Sequence, residues 1–154
     1  MQINIDKIAE ILKKANYIYI AGNGGLAAQA DHFACDLLKG AKLKAVSLCS
    51  NNSLISAIGN DIDYEHVFSK QLDILFNPQK DVLFLMSTSG TSGNIIHAAY
   101  NVYKKGGIVI SLVGNKTVLD NYSTYLYIIT APDMQICEDA FVIICHKIFK
   151  KILD

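Results

Sequence analysis

Residues 81–94 read Asp-Val-Leu-Phe-Leu-Met-Ser-Thr-Ser-Gly-Thr-Ser-Gly-Asn, and this is the most informative stretch of the chain. The apolar run Val82–Met86 predicts a strand that is covered on both faces of a parallel sheet. The turn after it is rich in hydroxyl groups and glycine, and it opens a helix, whose N-terminus presents unpaired N–H groups and a positive dipole. Because open α/β sheets bind ligands at this end of their strands, the turn is a candidate anion site.

A second loop of the same kind strengthens that interpretation. Serine, threonine, glycine and asparagine are also ordinary turn residues, so the first loop alone leaves an anion site and a plain turn as alternatives. No Gly-Lys-Ser/Thr follows it, and it is not a dinucleotide fingerprint, so we expect no nucleotide cofactor. The loop Gly22-Asn23-Gly24-Gly25 also joins a strand to a helix, and two such loops would enclose one small anionic ligand.

Apolar runs and glycine-rich breaks predict five strands that alternate with helices. The strands are expected at 17–21, 44–49, 82–86, 108–113 and 125–130. The helices are expected at 4–15, 26–39, 51–58, 64–76, 92–105 and 134–153, with a break at Gly59-Asn60-Asp61. Since the strands lack a period of two, the pattern is typical of a doubly wound parallel sheet. The length of 154 residues predicts one domain, residues 1–154.

Composition narrows the function classes. Hydrophobic residues make up 51% of the chain and charged residues 18%, and the net charge is zero, so nucleic-acid and anionic-membrane partners are not expected. Four cysteines without metal-ligand spacing predict reduced, mostly buried thiols in a cytoplasmic protein. The chain has no signal-peptide pattern and no apolar run of about 20 residues, so we expect no membrane span.

The candidate acid–base residues lie on two predicted helices. His32 and Asp36 are four residues apart and share a face, which fits a surface pair as well as a functional one. Glu138 and His146 lie about 80° apart around the terminal helix and two turns apart along it. His146 falls among apolar residues, where it is either a satisfied core residue or an acid or base tuned by a carboxylate. Asp61 also has two interpretations, a functional residue or an ordinary turn residue, since Asn-Asp is common in turns.

The two other histidines are interpreted as structural. His66 and His97 fall on predicted helix faces. Spacing along those helices identifies no carboxylate partner for either ring, and an unpaired helical histidine is commonly part of the packing.

Taken together, these motifs resemble the sugar isomerase (SIS) domain, and within it the phosphoheptose isomerases. The residues that carry the resemblance are Gly22-Asn23-Gly24-Gly25, His32–Leu37, Gly59-Asn60-Asp61, Ser87–Asn94, Glu138-Asp139 and His146. The resemblance implies a flavodoxin-like three-layer αβα sandwich with a five-stranded parallel sheet. It also implies a homodimer or homotetramer whose active sites lie between subunits.

The resemblance further implies the reaction and the residues that perform it. Family members of this type convert sedoheptulose 7-phosphate to a heptose 7-phosphate through an enediol, an intramolecular oxidoreduction that feeds lipopolysaccharide or capsule synthesis. The implied catalytic residues are Asp36, Glu138 and His146. The implied substrate-binding residues are Asn23, Gly24, Gly25, Asp61, Ser87, Thr88, Ser89 and Ser92. His32, Asp36, Glu138 and His146 fall on positions that hold zinc in some members.

Some departures from the family pattern keep a second function open. Leu26 stands where the family usually has serine, which predicts the loss of one polar contact. Asp36 replaces glutamate, which withdraws the carboxylate by one methylene, and Glu138 replaces a glutamine. Leu26, Asp36 and the short N-terminal segment favour the alternative of a non-catalytic phosphosugar sensor or protein-interaction module.

Overall fold

The fold is described by a computed structural model over residues 3–154. Within this range the strands are β1 Ile18–Ala21, β2 Ala45–Ser47, β3 Val82–Ser87, β4 Ile108–Val113 and β5 Tyr125–Ile128. All neighbouring pairs are parallel, and they form one sheet in the order β2-β1-β3-β4-β5. This is the strand order of flavodoxin-like proteins, so the predicted parallel sheet is confirmed.

Helices cover both faces of the sheet. They are α1 Ile5–Lys14, α2 Gly25–Cys35, α3 Asn52–Asp61, α4 Ser69–Leu75, α5 Gly93–Lys104 and α6 Met134–Leu153. Right-handed crossovers place α2 on one face of the sheet and α4 and α5 on the other. In agreement, α6 packs against α1 and α2, whereas α5 packs against α4. The predicted three-layer sandwich is therefore confirmed.

The central strand β3 explains where the loops of interest lie. All six of its residues are buried between the two helical layers. Phe84 of β3 packs against Phe33 of α2, with ring centroids 5.2 Å apart and both side chains fully buried. Burying a side chain of this size contributes about 1.5–3 kcal/mol to folding. Because β1 pairs with β3, the loops that follow these two strands are neighbours at the carboxyl edge of the sheet.

Two predicted helix boundaries are wrong. The predicted break at Gly59-Asn60-Asp61 does not occur, since α3 continues to Asp61. The helix predicted at 64–76 is instead a 3₁₀ turn, Tyr64–His66, followed by α4. The Asp63 side chain accepts a hydrogen bond from the His66 N–H (3.0 Å) and thereby caps this separate turn.

Most of the cysteine side chains are buried, as predicted. All four cysteines are free, and three of them are buried, whereas Cys35 is exposed. Burial raises the pKa of Cys145 to about 12, so this thiol stays protonated and is no nucleophile. No helix within residues 3–154 is long and apolar enough to cross a membrane.

Candidate functional site

The loop after β3 is shaped by its own hydroxyl groups. Gly90 N–H donates to Ser87 Oγ (3.0 Å), and Thr91 N–H donates to Ser89 Oγ (3.2 Å). Gly90 adopts a φ of 66°, and an added Cβ would collide with the side chain of Thr117, so both conformation and space require glycine here. The result is a fixed, curved loop at the carboxyl edge of the sheet. We call Ser87–Ser92 the serine loop.

The serine loop leads directly into an open helix end. Ser92 is the N-cap residue of α5, and within the described chain its side chain makes no capping hydrogen bond. The Ser92 hydroxyl and the first N–H groups of α5 are thus available to an external acceptor. Phosphate oxygens suit such donors, and the helix dipole favours their charge.

At the first loop, a carboxylate of the protein lies against the start of α2. A methyl group added at Gly25 would come 2.7 Å from Glu138 Oε2. Glu138 therefore sits at the N-terminus of α2, where the helix dipole favours a negative charge. Leu26, the next residue, is 3% exposed and packs in the core, so its side chain does not line the loop surface.

A reciprocal amide pair joins the two loops. Asn23 Nδ2 donates to Asn94 Oδ1, and Asn94 Nδ2 donates to Asn23 Oδ1, both at 2.8 Å. Tyr64 Oη adds a longer bond to Asn23 Oδ1 (3.4 Å). Most of the hydrogen-bonding capacity of Asn23 is thus used within the protein, and among residues 3–154 the second N–H of its amide has no partner, which leaves it for a substrate hydroxyl. Asn94 was not among the predicted binding residues, although a buried asparagine requires such a partner.

Three of the four predicted metal or acid–base residues form one cluster. His32 Nε2 lies 3.5 Å and His146 Nε2 3.8 Å from the same oxygen, Asp36 Oδ2. The two imidazole rings are 5.1 Å apart and meet edge to face. We call these three residues the shared-carboxylate cluster. Asp36, although shorter than glutamate, still reaches both rings.

A π-helical turn begins at the carboxylate of this cluster. Residues Asp36–Gly40 continue α2 as a π turn, closed by a bond from Ala41 N–H to Asp36 O (3.2 Å). Such turns occur frequently at functional sites. Gly40 lets the turn approach α6, because an added Cβ would come 2.6 Å from the ring of Phe149.

The donor set of the shared-carboxylate cluster fits a zinc ion. One ligand atom from each residue lies within 4.8 Å of the others, and two imidazoles with a carboxylate are typical zinc ligands. Glu138 does not join them, since eight residues of helix separate it from His146 by about 12 Å. Within one protomer the predicted four-residue set is therefore split into three residues at this cluster and Glu138 at the first loop.

Asp61 lies at the end of α3, and its carboxylate accepts a hydrogen bond from Asn60 (2.9 Å). The residues that follow it make the contacts with the loops. Besides the bond from Tyr64 to Asn23, the Glu65 carboxylate lies against Gly93, where an added Cβ would come 2.7 Å from Oε1. Sequence reasoning missed these two residues.

Both remaining histidines have carboxylate partners, contrary to the sequence interpretation. His66 Nδ1 lies 2.6 Å from Asp63 Oδ1, and His97 Nε2 lies 3.4 Å from Glu65 Oε2. The ring centroids of His66 and His97 are 4.6 Å apart. The hydrogen bond from His66 lowers the pKa of Asp63, which therefore stays ionised. We call these four residues the paired-carboxylate cluster, and it lies on the α5 side of the sheet.

Two clefts lie at opposite edges of the sheet. A cleft of about 340 Å³ adjoins the serine loop and is lined by Thr88, Ser89, Asn115 and Asp133 among others. A larger one, about 630 Å³, lies at the amino edge beside α1 and the start of β3. The smaller cleft lies at the carboxyl edge, where ligands of open α/β sheets bind, and the predicted site residues that line it are Thr88 and Ser89.

The chain is similar to known proteins over most of its length. Residues 1–114 match the SIS domain family. Phosphoheptose isomerase 1 of Campylobacter jejuni is 34% identical over 147 residues, which cover 92% of this chain and 78% of that protein. Solved phosphoheptose isomerases from Neisseria gonorrhoeae and Francisella tularensis have TM-scores of 0.89 and 0.88 and identities of 31% and 27%. These structural matches cover 96% of this chain, and 84% and 83% of the two solved chains.

Proposed function

The chain belongs to the SIS domain family and is a sugar-phosphate isomerase, and we propose that it interconverts sedoheptulose 7-phosphate and an aldoheptose 7-phosphate through an enediol. The observation that carries the proposal is the shared-carboxylate cluster, in which two imidazoles converge on Asp36 Oδ2 at 3.5 and 3.8 Å. Relatives at 31–34% identity are phosphoheptose isomerases, which supports this substrate class.

The serine loop supplies the phosphate site in this proposal. Ser89 is exposed and Ser92 leaves its hydroxyl uncapped, so both can donate to phosphate oxygens together with the first N–H groups of α5. Ser87 and Thr88 complete the loop, and Ser87 also holds Gly90 in place. The free N–H of Asn23, the backbone of Gly24 and Gly25, and Asp61 are assigned to sugar hydroxyls.

Proton transfer is assigned to Asp36 and His146, with Glu138 as a further polar group of the site. Isomerisation removes the proton from the carbon next to the carbonyl and adds one to the neighbouring carbon, with an enediol between. A carboxylate and an imidazole suit these steps near neutral pH. His146 side-chain exposure is 42%, so the ring is open to a substrate and is not the enclosed core residue that its apolar neighbours suggested.

A zinc ion fits the same residues. His32, Asp36 and His146 would hold it, and bound zinc supplies a Lewis acid that polarises a carbonyl oxygen. Glu138 lies about 12 Å from His146 along α6, so the ligands that one protomer offers together are His32, Asp36 and His146. A role for Glu138 as a fourth ligand stays a prediction.

We also propose that residues 1–154 form a single SIS domain and that this domain assembles as a homodimer or homotetramer in the cytoplasm. Leu38 and Ile143 are 56% and 54% exposed, and they lie within three residues of Asp36 and His146. Apolar side chains beside an open polar cluster are typical of a covered surface. A second subunit over them would exclude water from the site.

A coupled assay on purified protein tests the proposal. Turnover of sedoheptulose 7-phosphate to an aldoheptose phosphate is expected, and His146→Ala should abolish it while isothermal titration still detects phosphosugar binding. Tight binding by the unaltered protein without turnover would instead support the sensor alternative. Absence of both binding and turnover by folded protein would contradict the proposal.

A further inference from the structure

Glu65 of the Asp63–His66 segment and His97 of α5 form an acid–base pair near the serine loop. Glu65 lies alongside the first turn of α5, since Gly93 and His97, its two neighbours, are four residues apart on that helix. Gly93 directly follows Ser92, the last residue of the serine loop. The Glu65 side chain is 65% exposed, and the His97 side chain 41%, so neither is enclosed by the protein.

The reaction has a step that needs such a pair, if the proposed function holds. A ketose 7-phosphate is mainly a closed ring, and only its open form has the carbonyl group that isomerises. Opening removes the proton of the anomeric hydroxyl, breaks the bond between C2 and the ring oxygen, and puts a proton on that oxygen. Nothing is oxidised or reduced. In the six-membered form the ring oxygen is bonded to C6, next to the carbon that carries the phosphate.

We propose that Glu65 and His97 are catalytic residues that open the sugar ring before isomerisation. The Glu65 carboxylate accepts the proton of the anomeric hydroxyl, and protonated His97 donates to the ring oxygen. Both oxygens are bonded to C2, so two groups 3.4 Å apart can serve them together. The proton then passes from Glu65 to His97 across the same contact, which restores the starting state.

The rest of the paired-carboxylate cluster positions these two groups. His66 packs against the ring of His97, and Asp63 Oδ1 lies 2.6 Å from His66 Nδ1. These two contacts fix the orientation of the His97 ring. Tyr64, between them in sequence, ties the same turn to Asn23 of the first loop. Ring opening and carbonyl isomerisation would thus use different residues, on opposite sides of the sheet.

Measuring the exchange between the ring forms of the sugar tests ring opening separately from isomerisation. Sedoheptulose 7-phosphate labelled with ¹³C at C2 is mixed with His146→Ala protein in a non-phosphate buffer, and exchange NMR measures the interconversion of its ring forms. The His146→Ala protein should accelerate exchange over buffer alone. Adding Glu65→Gln should reduce that acceleration on the order of a hundredfold, with phosphosugar affinity changed less than about threefold.

Glu10→Gln in the same background is the matched control. Glu10 is an exposed glutamate on α1, paired with Lys14 at 2.6 Å, and it should leave exchange unchanged. Equal exchange in the Glu65→Gln and Glu10→Gln proteins, or no acceleration by His146→Ala protein that binds the phosphosugar, would overturn the ring-opening role. Failure of the unaltered protein to bind or isomerise the sugar would contradict the proposed function itself, which is a different result.

Discussion

The shared-carboxylate and paired-carboxylate clusters contain the same residue types in different arrangements. Each has two imidazole rings in contact, with centroids 5.1 Å apart in the first and 4.6 Å in the second. In the first, both rings converge on one oxygen of Asp36. In the second, each ring has its own carboxylate, Asp63 or Glu65. The first cluster therefore has one carboxylate for two imidazole rings, whereas the second has one carboxylate for each ring.

This difference separates two kinds of chemistry. Three ligand atoms that converge within 4.8 Å can bind a cation or a polarised substrate oxygen. Rings that are each paired with a carboxylate are held in one orientation and are suited to moving protons. Two imidazoles beside carboxylates are thus not enough to identify a metal centre, because the way the carboxylates are shared decides what can bind.

The largest effect should come from removing a ring of the shared-carboxylate cluster. His146→Ala is expected to lower kcat by about a thousandfold, since the acid–base group is lost. His66→Ala, which removes a ring of the other cluster that only supports His97, should lower it by less than about tenfold. The coupled assay measures both. Equal losses would mean that the two clusters are not functionally distinct.

The next-largest effect should be on zinc affinity, which should depend on the shared-carboxylate cluster and not on the paired-carboxylate cluster. Asp36→Asn is expected to weaken zinc binding about a hundredfold, because the shared oxygen loses its charge. Glu65→Gln should leave affinity unchanged. Competition with a chromophoric chelator gives both values, and a loss of affinity in the Glu65→Gln protein would show that the paired-carboxylate cluster also binds the ion.

A glycine substitution should disturb the paired-carboxylate cluster. In Gly93→Ala the new methyl group displaces the Glu65 carboxylate, which is the far end of an exposed side chain and can move. We expect turnover to fall by about threefold to tenfold with no loss in Tm, because alanine favours the helix by up to about 1 kcal/mol. Thermal unfolding and kcat on the same preparation test this, and unchanged turnover would count against a role for Glu65.

The smallest effect concerns stability and pH. The pKa of Asp63 is lowered from 3.8 by the hydrogen bond from His66, so this pair stabilises the fold above that value and stops doing so as pH falls through the lowered pKa. Asp63→Asn should therefore reduce the urea midpoint slightly at pH 6.5, and the difference should shrink progressively as the pH falls below 3.8. A difference that stays constant as the pH is lowered below 3.8 would contradict the ionic contribution.

The sequence was sufficient for the sheet but not for the pairing of side chains. β3 and the serine loop are predictable because an apolar run, a glycine with positive φ and a helix N-cap are local features. The partner of His97 is not, since Glu65 lies 32 positions away and is brought to it by the fold. The separation of Glu138 from His146 was predictable, because helical rise alone puts eight residues about 12 Å apart.

The boundaries around Asp61 show the same limit. Gly59 suggested a break, yet α3 tolerates this glycine, and the helix ends only at Asp61. Asp63 then caps a separate turn, whose position depends on contacts of Tyr64 and Glu65 with two distant loops. Local propensity predicts that some turn occurs here, and tertiary contacts decide where it begins.

The π turn at Asp36–Gly40 separates the register of α2 from the path of the chain to β2. Its closing bond spans five residues, from Ala41 N–H to Asp36 O, so it holds one residue more than an α-helical turn. Each residue of an α-helix advances the chain by about 100°. Deleting a single residue from 37–40 would therefore leave His32 and Asp36 in phase while rotating everything between them and β2. Insertions and deletions at this point would therefore alter the connection from α2 to β2 without changing the His32–Asp36 pair.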